Sequence, residues 1–121
     1  MESVHDPKDC AARLLPVRDA LDVLSGKWKI PILIALSFGH IRFRELHRKI
    51  EGISPRMLSK ELKELELNGL VKRTVYDTIP ASVAYELTAH GDSIKGLVSE
   101  LYDWGMRHRA YTMKQGQPAT L

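Results

Sequence analysis

Arg56, Ser59, Lys60 and Lys63 recur at the spacing i, i+3, i+4, i+7. On a helix turning about 100° per residue they share one side, and Leu58, Leu62 and Leu65 share the opposite side. Such a helix buries its leucines and presents cations and a hydroxyl. Cations neutralise phosphates, an arginine can donate two hydrogen bonds to a guanine edge, and the major groove of B-DNA admits a helix. Ser54 is a suitable N-cap and Pro55 fits the first helical position, so Arg56 sits at the N-terminal end, which enters the groove deepest in helix-turn-helix docking. That end of a helix also favours phosphate. A charged stripe is common on surface helices, and the plain reading is a solvated face. The surroundings tip the balance. Residues 40–73 hold nine Lys and Arg against five Glu, a net +4 in a chain whose total is +3. Arg42, Arg44 and Arg48 precede the turn and Lys72 and Arg73 follow the helix, all placed to grip a phosphate backbone.

Other chemistries lack their residues. His5, His40, His47, His90 and His108 make no i, i+3 or i, i+4 pair, and Cys10 has no second cysteine, so neither a metal nor a cofactor is expected. No nucleophile elbow, phosphate-cradling glycine loop or HExxH run occurs, so no catalytic residue is expected. Glu64 and Glu66 lie two apart on a helix and do not converge; Asp19 and Asp22 read as ordinary surface acids.

The elements that must position the stripe follow from apolar periodicity. Residues 1–10 read as a flexible arm and 110–121 as a flexible tail, leaving one domain over 11–109. A first helix spans 11–24, with Leu14, Val17, Leu21 and Leu24 on one face and Pro16 near its start. A second, over 27–38, is apolar nearly all round and reads as a central core helix. A short link at 40–42, able to form one strand bridge, leads to a third helix over 43–50 and a turn at 51–53. The cationic helix then runs from Ser54 to the Asn68-Gly69 stop. Alternation at 71–76 and 83–87 predicts two antiparallel strands joined by a loop. Thr88 caps a long helix over 89–109, on which Ile94, Leu97, Val98, Leu101 and Trp104 form one apolar stripe. The fold class is mainly α with a small β-hairpin (α+β), a winged helix-turn-helix with N- and C-terminal dimerisation helices. The last stripe is more apolar surface than so small a core covers, so a two-fold homodimer is expected, with recognition helices about 34 Å apart on a palindrome.

Composition sets outer bounds. The chain has 121 residues, 44% hydrophobic and 27% charged, as in a globular domain. The longest apolar run, 30–36, is far short of a membrane span, and the polar start is no secretory signal. With a single cysteine, these point to the cytoplasm, at the nucleoid, with no membrane partner.

Ordered segments resemble a known family. They are Ala20 to Trp28 (ALDVLSGKW), Arg42 to Leu46 (RFREL), Gly52 to Leu58 (GISPRML), Leu62 to Glu66 (LKELE), Gly69-Leu70-Val71, Val83 to Thr88 (VAYELT) with Gly91, and Trp104-Gly105. In order and spacing the chain resembles the HxlR-type winged helix-turn-helix regulators of bacteria, over about residues 15–109. The resemblance implies a homodimer on double-stranded DNA, built from the first and last helices through Leu14, Val17, Leu21 and the last-helix stripe. Relatives also bind small-molecule effectors near that interface; no such pocket is readable here. Many relatives carry a redox-sensing cysteine directly before the Pro-Val pair of the first helix, where this chain has Leu15. Cys10, the candidate redox thiol, lies five residues earlier beside Asp6 and Asp9 and reads as a plain exposed thiol. Relatives often place Pro-Arg at the wing tip, where this chain has Ala81-Ser82, so weaker wing contact is expected, with Lys72 and Arg73 supplying backbone contacts. The rival reading is a winged-helix module that binds protein rather than DNA.

Overall fold

The computed structural model describes residues 7–116. Its elements are α1 (Pro7–Leu24), α2 (Lys29–Leu36), β1 (Ile41–Arg42), α3 (Phe43–Lys49), α4 (Pro55–Leu67), β2 (Val71–Tyr76), β3 (Ser82–Leu87), α5 (Ala89–Asp92) and α6 (Lys95–Lys114). One apolar core joins Ile32, Leu33 and Leu36 of α2, Leu46 of α3, Leu58, Leu62 and Leu65 of α4, and Val71 and Tyr85 of the sheet. The leucine side of α4 is therefore the buried side, as its period predicts.

The link before α3 does more than bridge. β1 pairs antiparallel with β3 (Ile41 opposite Tyr85), and β3 pairs with β2, giving a three-stranded sheet of order β1-β3-β2. This seats Arg42 and α3 directly on the hairpin. At the other end of α4, Gly69 takes φ +77°, a left-handed stop that glycine adopts freely. Thr88 then ties that stop to the end of β3. Its hydroxyl donates to the Gly69 carbonyl at 2.6 Å and accepts from the Gly91 N–H at 2.9 Å. Gly91 lies flat on this corner, where an added Cβ would collide with the Leu70 carbonyl.

Four expectations are corrected. The arm over 1–10 fails at Pro7–Cys10, which are helical; residues 1–6 lie outside the described residues. Apolar periodicity marks where a helix packs, and Pro7 at the first position and the polar residues after it carry no such period. Pro16 is consequently internal to α1 rather than near its start, and it removes the hydrogen bond to the Ala12 carbonyl. The long helix over 89–109 is two. Ser93 and Ile94 close tighter turns onto His90 and Gly91, the Ser93 hydroxyl also bonds the His90 carbonyl, and α6 restarts at Lys95. The same helix then runs past Arg109 to Lys114, into the expected tail, through good helix formers such as Ala110, Met113 and Lys114.

The second helix is central, but not on every side. Ile34 and Phe38 are exposed. With Ile94, Val98, Leu101 and Tyr102 they line an apolar groove of about 510 Å³ between α2 and α6. None of the residues of α6 is buried. Every residue from 10 to 22 of α1 is exposed as well, and Val23 and Leu24 pack against the core.

Candidate nucleic-acid interface

The turn between α3 and α4 sets the cationic helix in place. Gly52 takes φ +89°, and the His47 Nε2 contacts the Ile53 carbonyl at 2.8 Å, closing the turn across its own helix. Ser54 caps α4 by accepting the Met57 N–H at 3.1 Å, with Pro55 in the first turn. Arg56, Ser59, Lys60 and Lys63 are all exposed along one side, opposite Leu58, Leu62 and Leu65, each fully buried. Ser54 itself is exposed at the helix start, its oxygen engaged in the cap.

A second surface continues the first. Arg42 at the end of β1, Arg44 in the first turn of α3, Ser59 from α4 and Arg73 from β2 line one groove of about 660 Å³, which residues 78–82 of the wing also line. Three guanidinium groups from three elements thus meet the flank of α4. The wing ends in Ile79, which is fully exposed. Lys72 is not part of this groove: it alternates with Arg73 along β2 and sits opposite Glu86 of β3. Of the residues expected to touch DNA, then, Ser54, Arg56, Ser59, Lys60 and Lys63 lie on or at the start of α4 and Arg42, Arg44 and Arg73 around this groove, whereas Lys72 and Arg48, exposed on α3, lie outside it.

The sequence reading missed one cluster altogether. Lys29, at the head of α2, is only 7% exposed. Its ammonium donates to Glu61 Oε2 at 2.8 Å and to Glu64 Oε1 at 2.7 Å, both on α4. Glu61 is equally buried, so this carboxylate, counted above against the basic surface, does not project from it. Burial pulls the Lys29 ammonium down, but its hydrogen bonds to Glu61 and Glu64 outweigh that and hold it above the usual lysine range. The same bond, then the Lys29 charge, holds the Glu64 carboxyl below the usual carboxylate range. A signal was present: Lys29 is the lone charge in an apolar helix, and Glu61 falls on the leucine side of α4. Opposite charges at inward positions of two helices imply a pair.

The remaining expected residues lie on or next to α1 and α6. Leu14, Val17 and Leu21 of α1 and Leu97, Leu101 and Trp104 of α6 are exposed, and Ile94 and Val98 half-buried. Trp104 stacks on His108 at 5.0 Å. Cys10 is exposed on the first helix.

Comparison with known proteins agrees with this architecture. The profile of HxlR-like helix-turn-helix proteins matches residues 23–113. The HTH-type transcriptional regulator YtcD of Bacillus subtilis is 40% identical over 94 residues, 78% of this chain and 75% of the relative. An HTH-type transcriptional regulator of Methanothermobacter thermautotrophicus is 38% identical over 106 residues, 88% of this chain and 81% of its own. Among solved structures, the redox regulator HypR in its reduced form superposes with a TM-score of 0.76 at 37% identity, covering 82% of this chain and 98% of that one. A MarR-family regulator from Porphyromonas gingivalis W83 gives 0.74 at 34%, covering 87% and 97%. With these relatives the chain is a DNA-binding transcriptional regulator, and it belongs to the HxlR-like helix-turn-helix family.

Proposed function

We propose that two copies of this chain pair through α1 and α6 and lay two α4 helices into successive major grooves of a palindromic operator in the cytoplasm. Arg56 reads a base edge. Ser54, Ser59, Lys60 and Lys63 hold α4 in the groove, and Arg42, Arg44 and Arg73 grip the backbone beside it. Lys72 contributes long-range charge only. The observation that carries this reading is the division of α4: Leu58, Leu62 and Leu65 are buried, and its outward row of Arg56, Ser59, Lys60 and Lys63 is exposed. The pairing rests on α1. A helix of 18 residues with an internal proline and no cover on its apolar face is marginal in water alone. In the pair it lies against the other copy, beside the apolar surface of α6.

Selection of bound duplexes from a random pool tests the whole reading, and a palindrome is the expected product. Arg56→Ala is expected to cost about 1–3 kcal/mol on the selected site and to relax preference at one base pair. Lys60→Ala is expected to weaken binding to every sequence alike and to lower the salt slope by about one per subunit, about two for the pair. Equal losses on selected and mixed duplexes for Arg56→Ala would remove its base-reading role.

A further inference from the structure

Lys29 is buried, charged and remote from the outward face of α4, yet it bonds to that helix twice. Glu61, Glu64 and Lys60 step round α4 from the core edge toward the exposed row. Glu64 is the shared member. One of its oxygens takes the Lys29 hydrogen bond at 2.7 Å, and the other lies 3.7 Å from the Lys60 ammonium. The first distance is a charge-assisted hydrogen bond; the second is too long for one. Lys60 is also far more exposed than Lys29 (63% against 9% of the side chain).

We propose that Lys29 is a positioning residue for DNA binding: it claims the Glu64 carboxylate from the core side and so leaves Lys60 free to move to a phosphate. This rests on the assignment of α4 as the DNA-facing helix. Without Lys29, the nearest cation to Glu64 is Lys60, one helical turn away on the same face, and the carboxylate would hold it. With Lys29 in place, Lys60 leaves for DNA and Glu64 stays paired. Lys29 does this from a position DNA cannot reach, so its charge is never diverted to phosphate. The Lys29–Glu61 bond holds the ammonium at the α2–α4 contact, where it can serve Glu64.

The test uses the full chain and a mixed-sequence duplex, with binding measured against KCl concentration. The variant is Lys29→Met with Glu61→Gln, which removes one charge of each sign and leaves the net charge unchanged. Its salt slope is expected to be shallower than wild type by about one per subunit, about two for the proposed pair, with affinity down about five- to tenfold per subunit near 0.1 M salt. Adding Glu64→Gln should restore the slope, and adding Lys60→Ala instead should cost little more, because Lys60 is already lost to DNA. A wild-type slope in the double variant, or a full further loss on Lys60→Ala, overturns the proposal. Should the double variant fail to fold, Lys29→Leu with Glu61→Leu replaces the ion pair by apolar side chains, a change buried pairs often tolerate. The same slope loss is expected of it, and failure of both variants to fold makes Lys29 a folding residue and ends the proposal. Failure of the wild type to bind any duplex would instead overturn the DNA-facing assignment of α4, a separate outcome.

Discussion

At the scale of single residues, the Lys29–Glu64 bond fixes a pH response. The Glu64 carboxyl is held below its ordinary range, so its contribution is complete above that range and is lost as pH falls through the folded value. The Lys29 ammonium is held above its ordinary range, so its share is complete below that range and is lost as pH rises through the folded value. Between about pH 5 and pH 10 both are in force. Thermal melts of wild type and Glu64→Gln across pH are expected to differ at neutrality and to converge below about pH 4; a gap that ignores pH would mean Glu64 contributes nothing as a carboxylate. Because Glu64 is partly exposed, water screens the pair and the gap is small. Cys10 gives a contrasting case. It is exposed on a helix whose neighbouring side chains from 11 to 22 are exposed too. Oxidant is expected to leave DNA binding by wild type and Cys10→Ser equally affected, and a loss confined to wild type would make the thiol a redox switch through a bond between two copies.

At the scale of elements, α4 is held at both ends by different devices, and substitutions separate them. Ser54→Asp retains the cap, since aspartate accepts the same N–H, and suits the positive end of the helix. It also puts a carboxylate where the proposed complex has a phosphate. Unchanged stability with a large loss of duplex affinity is the expected result, read by melting and by titration of one preparation. Gly91→Ala acts at the other end, forcing a Cβ into the Leu70 carbonyl. The corner must open, at a cost of about 1–3 kcal/mol in urea unfolding. The cap, the stop after Asn68 and the leucine row were all legible in the sequence, because each is a local rule obeyed by a few adjacent residues. The bond from Lys29 to Glu61 was not, because it spans 32 residues and each partner alone reads as an exception to its own helix. Helix ends differ from the sequence reading for a related reason: no helical apolar period over Pro7–Cys10 or Ala110–Lys114 announces them. The groove side of Arg42 and Arg73 needed the pairing of β1 with β3, which joins residues far apart in the chain.

At the scale of the whole molecule, the apolar surface is distributed unevenly. The core under α4 is closed, while Leu14, Val17 and Leu21 on α1 and Leu97, Leu101 and Trp104 on α6 face outward. Scattered exposed leucines need no explanation, but two helices exposed along one face each do. Water is a poor neighbour for both, and in the proposed pair a second copy related by a two-fold axis would supply the same two faces in return. Leu101→Glu is the direct probe. Leu101 is already 45% exposed in the single chain, so a carboxylate there leaves the protomer folded, whereas two such charges brought together in the pair repel without solvent. Sedimentation is expected to show a monomer with wild-type helix content. That monomer keeps α4 and its groove, so it should still bind mixed duplex with a salt slope about half that of the pair, while the preference for a two-half-site palindrome over one half-site disappears. Insertion of about five base pairs between the half-sites, half a turn of B-DNA, should harm wild type severely and the Leu101→Glu monomer hardly at all. A Leu101→Glu protein that sediments as a dimer and keeps that spacing rule would place the two-fold contact elsewhere than α6.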